Sequence, residues 1–159
     1  MSTVVAHLEK QVASSRRLLG IVLAQGEAIR AQDVEGVLAR LSDVQIEMAV
    51  RNRLEFERDG ILRDASARLG IAPEQVDLEG VLVDAPATEA DRARELSAEL
   101  RGLLLETQRT HEQNRVLIRQ ELSFLSHLMS VMSGAPRAGY SPDGWTATPQ
   151  PSRAVDARA

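Results

Sequence analysis

The side chains best suited to metal ligation or proton transfer in this chain are His7, His111 and His127, and their spacing serves neither task. A metal site on a helix needs ligands three or four residues apart, backed by acidic partners, and no histidine here has them. None lies near a Gly-rich loop that would cradle a phosphate. The carboxylates Glu55 and Glu57 are close in sequence but two residues apart, so on a helix they point to different faces and read as solvated charges. There is no Cys, which removes disulfides, thiolate metal sites and cysteine nucleophiles together. No nucleophile, base and oxyanion donor can be assembled, so the expectation is a protein that is not an enzyme and uses no cofactor and no metal.

What remains is recognition chemistry. In ETQRTHEQNR, residues 106–115, Thr107, His111 and Asn114 occupy positions where leucines would continue an apolar seam. Polar residues at such positions fix the register of paired helices at some cost in stability. Immediately after them, Leu117, Phe124, Leu128 and Val131 form a second apolar stripe about 100° from the main one, widening the apolar arc to about 180°, where one partner helix needs nearer 100°. Either residues 4–31 fold back over this face as a third helix, or it is an open groove for an apolar helix from another protein. A chain with four aromatic residues also places its one tyrosine, Tyr140, and its one tryptophan, Trp145, in GAPRAGYSPDGW. Gly and Pro preclude a packed core there, so these rings either fold back onto the helices or enter a pocket on another protein.

The elements that must position these residues are helical throughout. Val5, Leu8, Val12, Leu19, Val22 and Ile29 follow a 3-4 repeat, with Ser15 and Gly26 in its two gaps, predicting a helix over residues 4–31. Asp33 in AQDVEG interrupts the seam and can cap a new start, and the stripe Val34, Val37, Leu41, Val44 and Met48 is shifted by one residue, so a kink or short break falls near 31–36. The second helix, 33–69, ends at Gly70 with Pro73 beyond it. Residues 70–88 form a connection in which Pro73 opens a short helix to about Leu82, and Thr88 caps the next one.

From 89 to 132 there is no Pro and one Gly, predicting a single helix roughly 65 Å long. Its stripe of Leu96, Leu100, Leu103, Leu104, the three polar residues, Ile118, Leu122, Leu125, Met129 and Met132 is expected to pack antiparallel against 34–69. The fold class is therefore all-α, an elongated antiparallel helical hairpin or bundle with coiled-coil-like packing over residues 1–133, followed by a disordered tail, 134–159, that carries the docking segment. A hydrophobic content of 43% suffices for one core, and a net charge of −4 without a basic patch argues against nucleic acid. Glu9 and Lys10 stand where a secretory signal would be apolar, and no run of 18 apolar residues occurs, so a soluble, cytoplasmic protein with no membrane insertion is expected.

The run NRVLIRQELSFLSHLMSVMSG, then a short spacer and YSPDG, resembles the end of the FlgN family of flagellar export chaperones. The leucine-rich opening helix, the AQDVEGV break and LRGLLLETQRTHEQN occur in the family's order, so the similarity spans roughly residues 4–145, with residues 114–144 the distinctive part. Ser141 departs from the Gly that commonly follows the family's tyrosine, which alters the turn there. The resemblance implies a chaperone of flagellar type III export that binds the hook-associated, or hook-filament junction, proteins. It would keep their terminal helices from associating early and deliver them to the cytoplasmic domain of the export gate. By residue, it implies substrate binding at Leu117, Phe124, Leu128 and Val131 and gate docking at Tyr140, assisted by Trp145. The same heptads suit a self-associating coiled-coil scaffold, and a homodimer of the free chain is compatible with either reading.

Overall fold

A computed structural model describes residues 3–132, all of them in helices, turns and short connections. The order is α1 (Thr3–Arg30), α2 (Val34–Leu69), a 3-10 turn (Pro73–Gln75), α3 (Leu78–Val81) and α4 (Ala87–Met132). The chain divides into two units, Met1–Arg119 and Gln120–Ala159.

In the first unit α1 is the shared element. Its predicted seam is buried at Val5, Leu8, Val12, Ser15, Val22, Gly26 and Ile29 and half-buried at Leu19, and His7 and Ser14 are buried beside it. One side of α1 pairs antiparallel with α2: Lys10 near one end of α1 reaches Glu57, and Arg17, further along, reaches back to Glu47, both at 3.0 Å. The other side meets α4, which runs in the same direction as α1. Val5, Leu8 and Val12 pack with Ala90, Ala93, Leu96 and Leu82, Arg16 pairs with Glu99, and Asn114 reaches Val22. Each large aliphatic side chain enclosed there contributes about 1.5 to 3 kcal/mol.

This corrects the expected pairing of α4. It runs antiparallel to α2, but the helix its stripe meets is α1. Residues 3–30 do fold back as a third helix, and the break after them is a reversal of the chain. Gln32 adopts a left-handed φ of 56°, its N–H donates to the Ile29 carbonyl at 3.0 Å, and the Asp33 N–H donates to the Ala28 carbonyl at 2.9 Å. Those two bonds are the pair that closes a helix C-terminus in the Schellman manner. Asp33 at once opens α2, its carboxylate accepting from the Gly36 N–H at 2.9 Å. One residue thus closes α1 and starts α2.

Gly70 ends α2 in the left-handed region, φ 67° and ψ 27°, with its N–H on the Ser66 carbonyl. The expected short helix after Pro73 is split into the 3-10 turn and α3, because Asp77 interposes a new cap that accepts from the Gly80 N–H at 2.8 Å. Leu82, just beyond α3, is carried into the α1–α4 core. Thr88 does not open α4. The helix begins at Ala87, and the Pro86 carbonyl accepts from the N–H groups of Glu89 and Ala90 at 2.9 and 3.0 Å.

Candidate protein-binding surfaces

Of the three polar seam residues, one joins two helices. Asn114 is 2% exposed, and its amide donates to the Val22 carbonyl at 2.8 Å and to Gln25 Oε1 at 3.4 Å. It fits because Gly26 opposite has no side chain: a Cβ there would lie 2.6 Å from Asn114 Oδ1. Thr107 is half-buried and donates to the Leu103 carbonyl of its own helix at 2.8 Å, and His111 is exposed.

A second polar layer, between α1 and α2, was not anticipated. Glu47 is buried and accepts from the Ser14 hydroxyl and from the Arg17 guanidinium, at 3.0 Å from Nε and 3.3 Å from Nη2. Burial alone would raise its pKa, but those hydrogen bonds and the charges of Arg17 and Arg51 together hold it below the ordinary value. Arg51 donates to Ser15 Oγ at 3.1 Å. The available sequence signal was the row Glu47, Leu54 and Ile61, in which Glu47 stands seven residues before a buried leucine. Glu57 is likewise not a freely solvated charge: it accepts from Lys10 at 3.0 Å and meets His7 Nδ1 at 3.4 Å. The Lys10 hydrogen bond, followed by that of His7, lowers its pKa. Glu55 pairs with Arg58 within one turn.

Next to this layer is a cavity of about 130 Å³ where all three long helices meet, between Gln11 and Ser15 of α1, Arg51 and Glu55 of α2, and Leu100 and Leu104 of α4. Beyond it, Val34, Leu41 and Met48 on α2 and Leu104 and Ile118 on α4 are exposed.

The predicted substrate residues divide between the units. Leu117 is half-buried in the first. In the second, Phe124, Leu128 and Val131 are exposed, Phe124 by 59% and Val131 by 65%. Leu122, Leu125, Met129 and Met132, expected on a packed stripe, are exposed as well. Helical periodicity makes a face apolar; it does not supply a neighbour for it. Tyr140 and Trp145 lie outside the described residues. Among the described residues no helix is long and apolar enough to cross a membrane, and no three His, Asp or Glu side chains come together around a point where a metal ion could sit.

The family model described as FlgN protein matches residues 1–148. No curated protein and no solved structure matches the chain.

Proposed function

We propose, for a chain that belongs to the FlgN family of flagellar export chaperones, that it binds the hook-filament junction proteins in the cytoplasm and delivers them to the cytoplasmic domain of the export gate. The observation that carries this reading is the apolar surface of residues 120–132, where seven large apolar side chains are all exposed. Solvated surface of that size and character marks a place for another protein. Phe124, Leu128 and Val131 would take an apolar helix of the client, each anchor worth about 1 to 3 kcal/mol when buried. A client helix covered in this way is unavailable for premature assembly. Tyr140, assisted by Trp145, would dock at the gate, since an aromatic ring with one polar tip enters a preformed pocket at low ordering cost.

The test uses Phe124→Ser/Leu128→Ser, with light-scattering mass measured with and without a purified hook-filament junction protein. The wild-type chain should form a heterocomplex, and the double variant should not, while keeping its helical circular dichroism. A double variant that still captures the client would refute the surface. A free dimer that never exchanges into a heterocomplex would favour a scaffold instead. In parallel, Tyr140→Asp should leave client binding and melting intact and abolish capture of the loaded chaperone by the gate domain. Normal capture would remove the docking role.

A further inference from the structure

The first unit has an apolar groove of its own. Residues seven apart on a helix keep the same face to within about 20°. Starting from the cavity where the three helices meet, the row on α2 that contains Glu55 continues through Met48 and Leu41 to Val34, and the row on α4 that contains Leu104 continues through His111 to Ile118. The six residues other than Glu55 are all exposed, although every one of them lies in the first unit, on helices that pack on α1. From the cavity towards the α1–α2 turn, the two rows flank α1 as the exposed edges of the groove.

Charge decides what can lie there. The row of α4 bordering the groove is Arg101, Gln108 and Arg115, with Arg119 one turn further, and Arg51 and Arg58 line the cavity at its closed end. Among the described residues Arg101 and Arg119 have no ion-pair partner, while Glu55 pairs with Arg58 and Glu112 with Arg115 at 3.0 and 3.2 Å. Of the other arginines Arg51 lies against Glu47, and Arg58 against Asp59 as well as Glu55, so Arg101 and Arg119 are the uncompensated charges beside the groove on a chain whose net charge is −4. A second copy of the chain is a poor occupant, because its own exposed apolar segment, residues 120–132, carries one acidic residue, Glu121. We propose that this groove receives an amphipathic helix of a partner protein whose apolar stripe is flanked by Asp and Glu, as a fourth helix laid between α2 and α4.

The probes are two synthetic 18-residue helical peptides with the same leucine stripe, one flanked by Glu and one by Lys, titrated into the full chain by calorimetry. The Glu peptide should bind at least about tenfold tighter than the Lys peptide and weaken as salt is raised. Leu41→Ser/Met48→Ser, at exposed positions, should abolish binding without lowering helicity. Arg101→Glu/Arg119→Glu should erase or invert the preference between peptides. Phe124→Ser/Leu128→Ser should bind the Glu peptide as well as the wild-type chain does, which separates this groove from the client surface proposed above. Equal affinities for the two peptides, no binding of either, or full binding by Leu41→Ser/Met48→Ser would overturn the proposal. So would a homodimer that Leu41→Ser/Met48→Ser dissociates, since the occupant would then be a second copy.

Discussion

Replacing Gly26 by Ala should destabilise the protein, whereas the same replacement at Gly20, in the same helix, should stabilise it. Alanine exceeds glycine by about 1 kcal/mol in a helix interior, and both positions gain that amount. At Gly20 an added Cβ meets nothing within 4 Å, so the gain is kept. A rise in melting temperature of about 2 to 4 °C follows for a chain of this size. At Gly26 the added Cβ lies 2.6 Å from Asn114 Oδ1, too close for that oxygen to stay. Displacing the carboxamide breaks the 2.8 Å bond to the Val22 carbonyl and leaves a buried amide unpaired. That costs about 1 to 3 kcal/mol, and forcing extra volume into a filled site costs a similar amount. The net loss at Gly26 is therefore about 1 to 5 kcal/mol after the propensity gain. The assay is urea unfolding of Gly20→Ala, Gly26→Ala, Asn114→Ala and Gly26→Ala/Asn114→Ala at one pH and salt. In the double variant the clash is absent, so adding Gly26→Ala to Asn114→Ala should be neutral or favourable, a coupling of at least about 2 kcal/mol. If Gly26→Ala stabilises as much as Gly20→Ala, the close fit of Asn114 against α1 does not hold α4, and the reasoning fails.

Two further perturbations test the turn and the buried acid. Gln32→Gly should raise stability by about 0.5 to 1 kcal/mol, because the left-handed φ of 56° strains a residue with a Cβ, and a lowered melting temperature would contradict the Schellman geometry assigned to that turn. Glu47 has a folded pKa below its ordinary value of 4.5, so its contribution is fully present above that pH and is lost as pH falls through the folded pKa. Glu47→Gln should lose about 1.5 to 3 kcal/mol at pH 7 as the charged hydrogen bonds to Arg17 weaken. The gap between variant and wild-type melting temperatures should then narrow below about pH 4.5, and a gap constant from pH 7 to pH 3 would exclude the ionised pair as its cause.

Local signals in the chain determined where α2 begins and ends and where α3 begins, though not where α4 begins. Asp33 and Asp77 act through a carboxylate three residues from the N–H it accepts, Gly70 through a backbone only glycine enters cheaply, and Pro73 through its missing donor, so each works with no knowledge of the rest of the fold. The seam of α1 was equally legible, since a 3-4 repeat of apolar residues states which face is buried. It does not state against what. That α4 meets α1 was decided by contacts between residues far apart in sequence: Gly26 leaving space for Asn114, and Ala90 and Ala93 letting α4 approach Val5, Leu8 and Val12. Glu47 reads as a surface charge until Ser14, Arg17 and Arg51 are brought around it from positions 33, 30 and 4 residues distant. The stripe of α4 illustrates the same division. Leu96 and Leu125 lie within about 20° of one another in one periodic pattern, yet Leu96 is buried and Leu125 is exposed. Periodicity is a property of one helix, and burial is a property of a helix and whatever lies beside it.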